Sequence, residues 1–264
     1  MSLLAALDAI EMERKVNPSK FRVVTAAQER WIRMGSPLEP LQMMIWRGGN
    51  QVGKSQGQAM KILSYLRRTG PWSTRPKKPA KILLISTSKE QMIPLMEKLA
   101  ELLPVNECKF GFEPGFGFRG KPPRVLFTGG PAKGSILTFA TYAQGSTRIA
   151  GDTVDVVILD EPPPESMWSE IALRVMRKGG QVWASFTPTP ESPPVDYLID
   201  QVKSGQITEL QTSLNERNLT PTDPRIPPFL RQEQIQEILS MVLPIERNMR
   251  EHGDPTPQIG RAHV

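Results

Sequence analysis

Five short stretches of the chain are apolar almost without interruption: LQMMIW (41–46), KILLIST (81–87), SILTFAT (135–141), VDVVILD (154–160) and QVWASFT (181–187). Each is too short for a buried helix and β-rich in composition, so each reads as a strand. Helical stretches over about 55–69, 89–103, 165–178 and 194–204 fall between them. Strands without a polar face, alternating with helices, predict a mostly parallel sheet covered by helices on both sides, an α/β fold. Prolines gather where these strands should end, in GPWSTRPKKPA, GFEPGFGFRGKPPR, TPTPESPP and TPTDPRIPP. The α/β unit is expected to occupy residues 1–208. Over 209–264 the pattern changes to a proline-bearing connector and a helix with Ile235, Ile238, Leu239 and Val242 on one stripe. A second short helix follows, opened by Pro244 and ended at Gly253. This is the signature of a small helical linker or lid, too short for another ordinary domain.

Composition narrows the classes. At 264 residues the chain can bury a sizeable core. No apolar run approaches eighteen residues, which argues against a membrane span. The amino-terminal stretch lacks the basic segment and cleavage site of a secretory signal. A single cysteine, Cys108, excludes an internal disulfide and suits a reducing compartment, and two histidines near the end make a Cys/His zinc site implausible. Cys108 reads as a space-filling residue rather than a nucleophile. The net charge of +6 is unevenly spread. Residues 40–152 contain 17 basic and 6 acidic residues, a net +11, with no acid between Glu39 and Glu90 or between Glu113 and Asp152. Such a face suits a polyanion, nucleic acid above all; solvated lysines that bind nothing are the alternative.

Against that background one stretch carries chemistry. WRGGNQVGKSQGQ (46–58) contains G-x-x-x-x-G-K-[ST], with an expected strand before it and a helix after. Gly48, Gly49, Asn50, Gln51, Val52, Gly53, Lys54, Ser55 and Gln56 are expected to wrap a nucleotide's phosphates. Lys54 would reach the β- and γ-phosphates and Ser55 would ligate Mg²⁺. Arg47, just before the loop, is a further candidate nucleotide contact. Hydrolysis needs a second, acidic element, and VDVVILDEPP supplies it. Asp160, at the carboxyl end of a strand, is placed to orient Mg²⁺, and Glu161 to polarise water as general base. A plain turn before the prolines is the structural alternative, and Asp155, nearer the strand's start, is a weaker ligand. The adjacent glutamate is typical of additional-strand ATPases, and the base-reading Asn-Lys-x-Asp of GTPases is absent, so ATP is the favoured nucleotide.

With cradle and acidic strand placed, the chain resembles the amino-terminal ATPase domain of tailed-phage large terminases, the motors that package DNA into procapsids. GGNQVGKS is similar to that family's cradle. YAQGSTRIAGDTVDVVILDEPPPESMWSEIALRVMRKGGQVWASFTPT resembles one terminase branch from end to end, and ILSMVLPIERNMREHGDP is similar to the helical linker that follows. The resemblance implies an additional-strand P-loop ATPase that turns ATP into ADP and phosphate with Mg²⁺ and drives double-stranded DNA through a portal. It implies a homo-oligomeric ring, with the isolated chain a monomer of feeble activity. Portal protein and small terminase subunit are the implied partners, and the implied location is the host cytoplasm, docked on a procapsid, with no membrane. It assigns Gln28, in VTAAQERWI, to adenine, Thr187, in SFTPT (185–189), to coupling, and Arg148 to a trans arginine finger. Arg148 as an ordinary backbone-phosphate or surface contact stays open. The family's ribonuclease-H-type nuclease has no counterpart in the pattern, so no DNA cleavage is expected of this chain. A helicase-like nucleic-acid-dependent ATPase and a non-hydrolysing nucleotide-binding module are the other classes.

Overall fold

A computed structural model describes residues 3–144, 154–176, 179–189 and 194–255. Among these the main sheet is built from β1 (Met43–Gly48), β2 (Lys81–Ser86), β3 (Cys108–Lys109), β6 (Arg124–Phe127), β7 (Ile136–Thr141), β8 (Val156–Asp160), β9 (Gln181–Phe186) and β10 (Thr208–Thr212), and a separate small hairpin pairs β4 (Phe112–Glu113) with β5 (Gly117–Phe118). The spatial order is β10-β1-β9-β8-β2-β7-β6-β3. The pairings from β10 to β7 are parallel, and those joining β7 to β6 and β6 to β3 are antiparallel. The fold is therefore α/β with a mostly parallel, mixed sheet, and the five strands expected from the apolar pattern lie at its centre.

The parity of the strands sorts the core into two layers. Met44, Trp46, Ile82, Leu84, Val156, Ile158 and Trp183 pack on one face, beneath α2 (Ala26–Arg33), α3 (Lys54–Arg67) and α4 (Lys89–Leu102). Ile45, Leu83, Ile85, Val157, Leu159, Val182 and Ala184 pack on the other, beneath α5 (Glu165–Met176) and α6 (Asp196–Lys203). The strands look uniformly apolar because neither face meets water. Helix α3 sits close on β1 because Gly57 has no side chain there: a Cβ would lie 2.5 Å from the Trp46 ring.

Helix α1 (Leu3–Val16) precedes the sheet, formed by an amino-terminal stretch whose sequence is itself helical in pattern. Two features go beyond the sequence pattern. The edge strand β3 and its neighbour β6 are short, with too few residues for a periodic signal. Strand β10, at the junction with the carboxyl-terminal segment, pairs in parallel with β1 although its sequence TELQT is largely polar. An edge strand has a neighbour on one side only, and most residues of this one are no more than half-buried, so it needs no apolar run. Beyond it, α7 (Glu216–Leu219), α8 (Gln232–Ser240) and α9 (Pro244–His252) follow. Helix α9 starts at Pro244 and ends at Gly253, which takes the left-handed conformation at φ +71°.

Candidate nucleotide site

The phosphate-loop motif runs from the carboxyl end of β1 into the first turn of α3. Gly53 caps α3 with φ +81°, a turn glycine takes without strain, and Gln51 adopts the same left-handed region at φ +61°. The positive end of the α3 dipole faces the loop. Gln28 stands directly behind it. Its Nε2 donates to the Gly53 carbonyl (3.0 Å), and its Oε1 accepts from the Thr25 amide (3.0 Å) in the capping box that starts α2. Gln28 and Gln56 also line a cleft of about 430 Å³ with Arg14, Phe21, Arg22 and Phe229. The Gln56 Nε2 is buried there without a partner among the described residues.

Lys54 is half-buried and its ammonium donates three hydrogen bonds, to Gly48 O (3.0 Å), Gly49 O (2.7 Å) and Thr187 Oγ1 (2.6 Å). Thr187, just past β9, in turn donates to Gly48 O (2.9 Å), so one hydroxyl ties the ends of β1 and β9 together. Asp160 and Glu161 lie within electrostatic reach of the ammonium. Burial lowers the Lys54 pKa to about 8 against the pull of both carboxylates. Burial, and then repulsion from Glu161, raises Asp160 to about 8, with Lys54 opposing. Burial raises Glu161 to about 7, again opposed by Lys54. Glu161 has φ +83°, a backbone conformation that costs a side-chain-bearing residue about 1–3 kcal/mol. It is fixed by its N–H donating to Ser185 O (3.1 Å) and by Tyr142 Oη donating to its carbonyl (2.5 Å).

The structure thus gathers Lys54, Asp160, Glu161 and Thr187 at the carboxyl edge of the sheet, with Ser55 opening α3 alongside Lys54. Arg47 does not join them. Its guanidinium makes two bonds to Glu209 on β10 (2.6 and 3.1 Å), one to Asp254 (2.9 Å) and one to Gly253 O (3.0 Å). Strand alternation turns Arg47 away from the α3 face, so the expected nucleotide contact becomes a clamp on the carboxyl-terminal segment. That segment reaches the loop through its backbone: Asn50 N–H donates to Arg250 O (2.9 Å), and a Cβ on Gly253 would lie 2.7 Å from Gly48 atoms. Arg148 lies outside the described residues. Cys108 is half-buried and its thiol is pushed up to about 12, chiefly by burial, in keeping with a space-filling role. Sequence reasoning missed Tyr142 and the cleft residues Arg14, Phe21, Arg22 and Phe229, which carry no motif and meet only in space.

Over 129 residues, 48% of its length, the chain is 31% identical to the terminase large subunit of Salmonella phage P22. The chain is a terminase large-subunit homologue. The match spans 23% of the phage P22 protein, so most of that relative lies beyond the comparison. Among solved structures, a large terminase from a thermophilic bacteriophage superposes with a TM-score of 0.67 at 14% identity, covering 88% of this homologue and 54% of that chain. The same bacteriophage's large terminase in complex with ADP superposes with a TM-score of 0.60 at 15% identity, covering 85% of this homologue and 52% of that chain. These two likenesses establish a shared fold. No protein-family model matches the chain.

Proposed function

We propose that this terminase homologue is a Mg²⁺-dependent P-loop ATPase of the additional-strand type, and that ATP hydrolysis by it drives double-stranded DNA into a procapsid. The observation that carries the reading is the convergence of Lys54, Thr187, Asp160 and Glu161 across β1, β9 and β8. The intervening β9 supports the additional-strand type, since it separates the strand that feeds the cradle from the strand that ends in the carboxylates. The ADP held by the structural neighbour supports the choice of ligand.

The roles follow from the chemistry of each group. Lys54 remains protonated at pH 7 with its pKa about 8, and its ammonium binds a phosphate by exchanging the Gly48, Gly49 and Thr187 oxygens for phosphate oxygens. That exchange removes the Lys54 donor from the Thr187 hydroxyl, which keeps its own bond to Gly48 O, so β9 senses whether the cradle is filled. Glu161, ionised above its pKa of about 7, takes a proton from the attacking water. Ser55 and Asp160 offer hard oxygen donors that suit Mg²⁺, which when bound would offset phosphate charge. Gln28 and the cleft beside it receive the base. The exposed basic residues of the 40–152 stretch, Lys77 and Lys78 among them, face DNA, through contacts whose affinity falls steeply with salt. Arg148 acts as a finger on a neighbouring subunit's nucleotide in a ring on the portal, with the small subunit as a further partner in the host cytoplasm.

Phosphate release measured with and without duplex DNA tests this reading. Glu161→Gln is expected to lower turnover by about 10²–10⁴ while nucleotide binding persists. Equal turnover in both proteins removes Glu161 as the base. Mixing an Arg148→Ala chain with a Lys54→Ala chain should restore part of the lost rate, and absence of rescue removes the trans finger.

A further inference from the structure

Two hydroxyls beside the acidic strand have no hydrogen-bond partner among the described residues. In the sheet register Ser86, the last residue of β2, lies opposite Asp160, and Asp160 lies opposite Ser185 of β9. Asp160 continues the row of Val156 and Ile158, Ser86 that of Ile82 and Leu84, and Ser185 that of Trp183. All of these neighbours pack in the α3 layer. The three side chains therefore project to the face on which Lys54 and Ser55 open α3. Ser86 is 0% and Ser185 2% exposed, and neither Oγ has a hydrogen-bond partner among the described residues. A buried hydroxyl left unpaired costs about 1–3 kcal/mol, and alanine would fit both positions without that penalty. Neighbouring strands stand about 4.8 Å apart, which brings a serine hydroxyl within reach of a carboxylate on the next strand or of water bound to it.

We propose that Ser86 and Ser185 are positioning residues for the metal–nucleotide site, holding the Asp160 carboxylate and the water around a bound Mg²⁺ from its two flanks. This rests on the nucleotide reading above. Mg²⁺ keeps several of its waters and takes few protein ligands, so groups that fix those waters and that carboxylate set how much the ion adds to nucleotide affinity. A serine hydroxyl can donate to Asp160 and accept from a water at the same time. Outer partners of metal ligands typically change metal affinity by about 10–100-fold. Nothing else in the described structure uses these two oxygens.

The test is a titration of the full chain with fluorescent mant-ADP, with Mg²⁺ and with EDTA, for wild type, Ser86→Ala, Ser185→Ala and Ser86→Thr. The ratio of the two dissociation constants measures the metal's contribution. It should fall about tenfold in each alanine variant and recover in Ser86→Thr, which keeps the hydroxyl. Without nucleotide or metal, the alanine variants should melt at or above the wild-type temperature, because they lose no hydrogen bond. An unchanged ratio in both alanine variants overturns the proposal. So does a drop in the nucleotide-free melting temperature that accompanies the loss of affinity, which would make the hydroxyls structural. A wild-type chain that binds no mant-ADP removes the nucleotide reading and this proposal with it. Wild-type binding strengthened by Mg²⁺, with alanine variants equally strengthened, removes this proposal alone.

Discussion

Lys61 is fully buried on α3, and among the described residues no carboxylate is bonded to it. Its Nζ lies 3.9 Å from the Trp31 ring centroid and 4.7 Å from that of Trp183, and it donates to Met44 Sδ at 3.0 Å. Loss of hydration drives its pKa well below 10.5, and only the distant charge of Glu39 opposes. The unfolded chain then binds a proton that the folded chain releases, between the folded pKa and 10.5. Stability should rise with pH through that window, by up to about 1.4 kcal/mol per pH unit, and level off above 10.5. Lys61→Met keeps the length of the side chain and the thioether fills the aromatic cage without a buried charge. Replacing buried ion pairs with apolar residues of similar volume is often neutral or stabilising by about 1–4 kcal/mol, and an unpaired buried amine has no Coulombic partner to lose. A gain of about 2 kcal/mol would raise the melting temperature by roughly 4–8 °C in a chain of this size. Urea melts of both proteins at pH 7, 8 and 9 measure the effect: the wild type should gain stability along the series relative to the variant. A variant less stable than wild type at pH 7, together with parallel pH profiles, would show that a charged ammonium sits in the tryptophan cage at net benefit. That outcome refutes the reasoning.

Gly57→Ala should cost about 1–3 kcal/mol in thermal or urea unfolding, because its Cβ would meet the Trp46 ring at 2.5 Å and push α3 off β1. Arg47→Lys should lose most of the clamp, since one ammonium cannot reproduce the paired bonds to Glu209 and the bonds to Asp254 and Gly253. Hydrogen exchange at the Asn50 and Leu214 amides, which donate to Arg250 O and Glu251 O, should then accelerate. Cys108 in the native chain should react with a thiol reagent at pH 8 far more slowly than the unfolded chain does, because its pKa is about 12.

The centre of the fold was legible because every central strand is buried on both faces, and an apolar run such as VVIL, ending in two carboxylates, suits the middle of a covered sheet and little else. The edges were not. In β10 the residues Glu209 and Gln211 alternate with half-buried neighbours, and β3 has two residues. Local propensity says nothing there, and pairing decides the strand. The cradle was readable from spacing alone, since glycines, a lysine and a serine at fixed intervals admit one backbone path. Arg47 shows the limit of adjacency in sequence. One residue from Gly48, it points to the opposite side of a pleated strand, and its partner Asp254 is 207 residues away along the chain. Ser86 and Ser185 were invisible as a pair for the same reason: only the register between β2, β8 and β9 makes them neighbours of one carboxylate.

The contacts between Gly48–Asn50 and the end of α9 bear on where this molecule can be cut. Removing everything after β10 would leave the Asn50 amide without its carbonyl acceptor, open the flank of Gly48 to water and strand Arg47 beside Glu209 alone. The shortest fragment that preserves the cradle as it stands must therefore extend to Asp254, although none of the described residues after Thr212 belongs to the sheet.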